Sequence, residues 1–313
     1  MTHTYFITGA AGFIGSNLAQ SLIEAGEKVI GLDNFSTGKK ENIAPFVDRM
    51  EFVEGDIRDL DLCRRLCAKC DYVVHQAALG SVPRSVEDPI ESNDNNVTGT
   101  LNMLVAARDA KVKRFVYAAS SSAYGDTPTL PKIETMRPDP LSPYAVTKYV
   151  NELYAKVFWN VYGLPTVGLR YFNVFGKRQD PHGAYAAVIP IFVKQILSGV
   201  APTILGDGEQ TRDFTFIDNV VQANVKACTA PVAANGEVFN IGAGGRISLN
   251  DLTMKMIALL GSDLRPVYGQ KRAGDVKDSQ ADIEKARQIL GYEPTVDALT
   301  GLTLAIDWYR ENL

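Results

Sequence analysis

The stretch Ile7 to Leu18, ITGAAGFIGSNL, sets Gly9, Gly12 and Gly15 across the junction between an apolar run and a helical pattern. Glycines at such a junction let backbone approach a pyrophosphate closely. The helix start behind them offers free N–H groups and the positive end of a dipole. The spacing is G-x-x-G-x-x-G, one residue longer than the commonest dinucleotide fingerprint, so neighbouring residues must carry part of the argument. Eighteen residues after Gly15, KVIGLD ends in Asp33. A carboxylate at the end of a second strand accepts hydrogen bonds from a ribose diol and repels a 2'-phosphate, which favours NAD over NADP.

Outward from that loop, the first half alternates short apolar runs with helical patterns. Strands are expected at TYFITG from Thr4, KVIGLD from Lys28, MEFVEGD from Met50, DYVVHQAA from Asp71, RFVYAASS from Arg114 and TVGLRYFNV from Thr166. Helices are expected between them, as at Phe13 to Ala25 and Val97 to Ala110. Nearly continuous apolar strands separated by helices predict an α/β fold, a doubly wound parallel sheet of Rossmann type covered on both faces. Past Asn173 the turn-rich GKRQDPHGAY and LGDGEQTRD break the rhythm. A dinucleotide-binding domain over 1–172 and a smaller α/β substrate domain over 173–313 are therefore expected, with some late segments returning to the first.

With 46% hydrophobic and 22% charged residues and a net charge of -4, the composition is that of a globular protein without a basic footprint for nucleic acid. The chain enters a strand at once, with neither an export-signal pattern nor an apolar run near the ~20 residues of a membrane helix. A cytoplasmic protein with no membrane partner is expected. Cys63, Cys67 and Cys70 in CRRLCAKC lack a fourth ligand at metal-binding spacing, so they read as ordinary helix cysteines and no metal is expected.

Two further stretches carry chemistry. YAASSSAYGD, Tyr117 to Asp126, puts three serines at the end of the fifth strand, the carboxyl edge where open α/β sheets bind ligands. In SPYAVTKYVNELYA, Ser142 to Ala155, Pro143 suits a first helical position and Ser142 an N-cap. Tyr144 and Lys148 then lie one turn apart on one face. An ammonium near a phenol favours the phenolate, and moving a tyrosine from ~10 to neutrality needs about 4 kcal/mol of such preference. The same helix is apolar on more than one side, through Val146, Val150, Leu153 and Val157, so its outer face needs a second partner; a homodimer is expected.

With these residues in place, the sequence resembles the extended short-chain dehydrogenase/reductase family over nearly its whole length. It looks most like the nucleotide-sugar 4-epimerases that act on UDP-N-acetylhexosamines. The family's Y-x-x-x-K stands as Tyr144 to Lys148, and its serine four before the YG is Ser120. HQAALGSVPRS, NDNNVTGT, LRYFNVFG, TRDFTFIDN and QKRAGDVKDSQAD match as well. The resemblance implies that Tyr144 is the general base, that Lys148 lowers its pKa and holds the nicotinamide ribose, and that Ser120 binds the hydroxyl being oxidised. It implies an NAD site made of Gly9, Gly12, Phe13, Ile14 and Gly15, then Asn34, Ser36 and Gly38 around Asp33. Asp56 and Ile57 follow near the adenine, with Gln76, Ala77, Ala78, Asn95 and Tyr171 completing the set.

For the substrate, the resemblance implies Arg212 and Arg272 at the UDP phosphates, Asp275 at the nucleotide ribose and Asn173 at the sugar phosphate. Gly80, Ser81, Ser122, Gln179, Ala187, Val188 and Ser279 would surround the sugar. Ser279 stands where glucose-restricted relatives place a tyrosine, leaving room for an N-acetyl group. Relatives that dehydrate the sugar carry an Asp-Glu pair where this chain has Ser121 and Ser122, and decarboxylating relatives carry a glutamate at Ser122. Reversible C4 epimerisation of UDP-GlcNAc, and also UDP-glucose, is thus the expected activity. A UDP-glucuronate 4-epimerase, a UDP-glucose-restricted 4-epimerase, a plain nucleotide-sugar dehydrogenase and a non-catalytic NAD sensor are the alternatives; the uronate would call for a cation such as Arg178 or His182.

Overall fold

A computed structural model of the chain describes residues 2–180, 187–270 and 277–312. Its centre is one sheet of seven strands: β1 (Thr4–Thr8), β2 (Lys28–Asp33), β3 (Glu51–Glu54), β4 (Tyr72–His75), β5 (Arg114–Ser120), β6 (Thr166–Tyr171) and β7 (Glu237–Ile241). All neighbours run parallel, in the order β7-β6-β5-β4-β1-β2-β3. The chain winds outward from β1 through β2 and β3, then returns to place β4 on the other side of β1. That reversal opens a crevice at the carboxyl ends of the strands, which is where the functional residues gather.

Alternating side chains feed two cores. Tyr5, Ile7, Val74, Val116 and Leu169 meet helices α1 (Phe13–Glu24) and Ile217–Thr229 on one face. Phe6, Ile30, Val73 and Phe115 meet Leu60–Cys67, Gly99–Ala110 and Pro143–Tyr162 on the other. Cys63 and Cys67 are buried in this second core, as packing residues of an amphipathic helix. The six strands read from periodicity are all present. β7 is the addition, a five-residue EVFNI in the half of the chain where alternation has faded. Glu237–Ile241 and Ile217–Thr229 thus join the sheet layer although both lie beyond residue 173.

Two buried polar groups hold the crevice in shape. Arg170 on β6 donates to both carboxylate oxygens of Glu152, at 2.8 and 2.6 Å, with the two side chains only 4% and 5% exposed. Its guanidinium also lies 4.6 Å from the ring centre of Tyr124, which lines the crevice. Removing one partner of such a pair leaves a buried charge alone, at a cost of about 3–5 kcal/mol.

His75, at the end of β4, sits between Thr8, 2.7 Å from Nδ1, and Thr100, 2.9 Å from Nε2. Thr100 gives its own proton to the Asn96 carbonyl, so it accepts from Nε2, and Nδ1 accepts from Thr8. In that arrangement the imidazole is the neutral Nε2–H tautomer. Burial, aided by the Lys148 cation, pushes it down to about 3. Because the folded value lies below the unfolded ~6.5, this stability is fully present above that pH and is lost as pH falls toward 3. Between pH 6.5 and 5 the wild type should lose roughly 1.5 kcal/mol more than His75→Gln in urea unfolding. Parallel stability curves for the two proteins would show that His75 does not carry this loss.

Candidate active site

The crevice is a cavity of about 720 Å3 that runs from the glycine loop to Ser279. At its first end, Gly9 turns the chain with φ of 69°, and its carbonyl accepts from Gly12 N–H at 3.0 Å. Gly12 is the N-cap of α1 and supplies no side-chain cap, so the first turn is left for another acceptor. Phe13, Ile14 and Gly15 line the cavity there. A Cβ on Gly15 would lie 2.0 Å from the Gly9 oxygen, and one on Gly9 would lie 2.8 Å from Ala77 N. The cradle therefore exists only with glycine.

Asp33 closes this end. Its carboxylate is buried and accepts from Ala11 N–H at 2.9 Å and Phe35 N–H at 2.8 Å, while burial pushes its pKa up against those donors. Gly38 does not line the cavity but lets the loop pass: a Cβ there would lie 2.7 Å from Asp33 Oδ1. Asn34, Ser36 and Ile57 also line this end. Asp56 does not line it. Its carboxylate is held by Arg58 and Asn34, both at 2.8 Å, and Arg58 pulls it down to about 2.

In the middle, Gln76, Ala77, Ala78, Asn95, Ser120, Tyr144, Lys148 and Tyr171 all face the cavity. Asn95 lies in a π-turn, Asp94–Thr98, that leads into Gly99–Ala110. Ser142 caps Pro143–Tyr162, accepting from Ala145 N–H at 3.2 Å, so Tyr144 and Lys148 do share a face. Ser122 Oγ donates to Ser120 Oγ at 2.8 Å, and Ser120 stands near enough to the Tyr144 phenol to hold its pKa down.

The electrostatics differ from the sequence expectation. Lys148 Nζ lies 6.0 Å from the Tyr144 ring centre and donates to the Ala118 carbonyl at 2.9 Å. Burial pushes Lys148 down to about 8 and pushes Tyr144 above its ordinary value, with only the Ser120 hydrogen bond opposing the latter. By itself, then, the pair does not make a phenolate. Desolvation exceeds the attraction the spacing promised.

At the far end the cavity is lined by Gly80, Ser81, Ser122, Asn173, Gln179, Ala187, Arg212 and Ser279. Val188 starts the next helix and stands just outside the lining. Arg212 donates to the Thr211 and Lys277 carbonyls, both at 2.9 Å. Asn173 takes a φ of 29° and donates to the Asp213 carbonyl at 3.2 Å. Arg272, Asp275 and His182 lie outside the described residues.

Several residues here escaped the sequence reading. Asn224 forms a buried network with Gln76 and Tyr171, at 2.8 to 3.1 Å. Lys39 and Asp180, from opposite halves of the chain, pair at 2.8 Å across the cavity lining. Lys132 and Asp278 line the far end. Each looks like an isolated polar residue in sequence, and only long-range contact distinguishes it.

Comparison with known proteins agrees with this geometry. Residues 5–242 match the model of the NAD dependent epimerase/dehydratase family. A UDP-glucose 4-epimerase of Mycolicibacterium smegmatis is 40% identical over 310 residues, covering 98% of each chain. The structure of a UDP-N-acetylglucosamine 4-epimerase from Methanobrevibacter ruminantium, in complex with UDP-N-acetylmuramic acid, superposes with a TM-score of 0.95 at 38% identity. That match covers 100% of this chain and 99% of the other. A UDP-glucuronic acid 4-epimerase from Bacillus cereus, bound to UDP-glucuronic acid and NAD, superposes with a TM-score of 0.92 at 34% identity, over 99% and 100%. The chain belongs to the NAD dependent epimerase/dehydratase family. It is an NAD-dependent enzyme of the isomerase kind, and no helix among its described residues is long and apolar enough to cross a membrane.

Gly15→Ala tests the cradle directly. Its Cβ has only backbone to displace, so the purified variant should retain less than about a tenth of the wild-type NAD content at matched concentration. Full NAD content in a folded Gly15→Ala protein would refute the steric argument.

Proposed function

We propose that this protein interconverts UDP-GlcNAc and UDP-GalNAc by epimerisation at C4, and accepts UDP-glucose as a smaller substrate of the same site. The observation that carries the sugar assignment is the open far wall. Ser279 stands in it, and a Cβ built on Gly80 meets no atom within 4 Å. An N-acetyl group sweeping through the pocket as the sugar turns needs that space.

NAD fits the other end. Phe13, Ile14 and Gly15 would hold its pyrophosphate at the uncapped helix start and Asp33 its adenosine ribose; Lys148 would hold the nicotinamide ribose. Bound there, NAD would supply a hydride acceptor, and then donor, for sugar C4, so that the reaction would have no net redox change. Tyr144 takes the O4 proton and gives it back, and Ser120 orients that oxygen while bonding the phenol. Because burial opposes the phenolate, Tyr144 becomes a base only with added positive charge, which the oxidised nicotinamide carries. Arg212 would grip the diphosphate, where a guanidinium fork suits two oxygens.

Uronate sugars fit less well. Of the two cations expected for them, Arg178 lines the cavity but spends its guanidinium on α1, donating to Ser16 O at 3.3 Å and Gln20 Oε1 at 2.5 Å, and His182 lies outside the described residues. A second copy of the chain would cover the exposed stripe of Val146, Leu153, Val157 and Val161, which are 46%, 48%, 48% and 66% exposed.

The decisive assay incubates the purified protein, without added cofactor, with UDP-GlcNAc, UDP-glucose and UDP-glucuronate separately, and resolves the 4-epimers chromatographically. UDP-GalNAc should form fastest, and Tyr144→Phe should lower kcat by roughly 10²- to 10⁴-fold with NAD still bound. No epimer from any of the three, even with NAD supplied, would overturn the proposal.

The open wall makes its own prediction. Ser279→Tyr should suppress UDP-GlcNAc turnover by at least about tenfold while sparing UDP-glucose. Equal losses on both sugars would remove Ser279 as the determinant.

A further inference from the structure

Next to Arg212, which lines the cavity, stands a carboxylate with no part in the reaction described above. Asp213 is fully buried. It accepts three backbone hydrogen bonds, from Ala243 N–H at 2.8 Å, Gly244 N–H at 3.2 Å and Ala281 N–H at 3.1 Å. The first two belong to the loop that leaves β7, and the third to the segment that carries Ser279. Burial pushes the carboxyl up to about 6 against these donors, so at neutral pH it is an anion held by amides alone.

The segment it holds is a single extended strip. Ser279 N–H donates to the Thr211 carbonyl at 3.1 Å, and Thr211 N–H to the Lys277 carbonyl at 3.2 Å. On its other edge, Lys132 N–H donates to the Gln280 carbonyl at 2.8 Å, and Asp282 N–H to the Lys132 carbonyl at 2.9 Å. Residues 277–282 thus lie between Thr211–Asp213 and Lys132; Asp213 ties them to the exit of β7 through Ala281, beside the bonds from Asn240 to the Asp282 carbonyl and from Gln280 to the Gly244 carbonyl, both at 3.2 Å. Gly242 makes the approach possible, since a Cβ there would lie 2.7 Å from Asp213 Oδ2 and 2.6 Å from Ala281 Cβ.

We infer that Asp213 is a positioning residue of the substrate site: it clamps the wall bearing Arg212 and Ser279 to the exit of β7, and so sets how tightly the diphosphate and sugar are held. The inference rests on the proposed reading that this wall faces a UDP-sugar. Its chemistry is specific. A carboxylate can accept all three amides, whereas an asparagine of the same shape turns an N–H₂ group toward at least one of them.

Two variants test the clamp, Asp213→Asn from within and Gly242→Ala from outside. Five quantities are read on each: NAD content, UDP affinity by calorimetry, kcat and KM for the preferred sugar, and amide hydrogen exchange over 277–282. Both variants should raise the UDP Kd and the KM by roughly tenfold or more, speed exchange in that strip, and leave kcat within about threefold and NAD content unchanged. The clamp is overturned by an unchanged KM and Kd, by a fall in kcat at constant KM, or by loss of NAD in step with loss of UDP. Failure of both variants to fold would also overturn it, assigning Asp213 to the stability of the fold. If wild type binds UDP but yields no epimer, the proposed function fails, and the UDP affinities still decide the clamp.

Discussion

How closely helix α1 can approach the turn before it governs the rest of the molecule. With a Cβ on Gly15 only 2.0 Å from the Gly9 oxygen, any other residue there would lift the helix off the strand end. The same contact aims the first turn of the helix into the crevice and, through Gly9 and Ala77, fixes the distance between β1 and the end of β4. The nucleotide end and the middle of the cavity therefore share one backbone constraint. Side chains further along inherit their positions from it.

Polar groups in the cavity wall and just behind it are satisfied by buried partners. Asp33 is met by two amides, His75 by two threonines, and Gln76 and Tyr171 by Asn224. An unpaired polar group in such a place would cost about 1–3 kcal/mol, so each network also restricts how its element can move. The half of the cavity around the glycine loop is held in this way. Against it stands a second wall, built on Thr211–Asp213 and 277–282, that is tied to the exit of β7 through Asp213 and Asn240.

That division bears on the chemistry. Burial raises Tyr144 and lowers Lys148 to about 8, so at neutral pH the phenol stays protonated while the ammonium largely keeps its charge. A phenol that ionises only beside an added cation cannot remove protons indiscriminately. The oxidised cofactor would provide that charge, which links readiness for proton transfer to the presence of a hydride acceptor.

Much of this was legible in sequence, for identifiable reasons. Parallel strands buried on both faces must be apolar, so β1 to β6 announce themselves by composition; Gly15, Asp33, Ser120, Tyr144 and Lys148 declare themselves by spacing from those strands. β7 did not, because EVFNI is short and lies outside the alternating rhythm. The sign of the Tyr144 shift also lay beyond spacing, since desolvation depends on what surrounds the phenol. Asn224, Lys132, Asp213 and the Lys39–Asp180 pair acquire meaning only from partners 100 or more residues away, or from a strip added across the cavity. Sequence by itself determined the first six strands, their winding and the candidate set Ser120, Tyr144 and Lys148, because local pattern and strand-end position encode them. Tertiary structure alone decided which polar groups are buried together, because burial and charge are properties of the assembled neighbourhood.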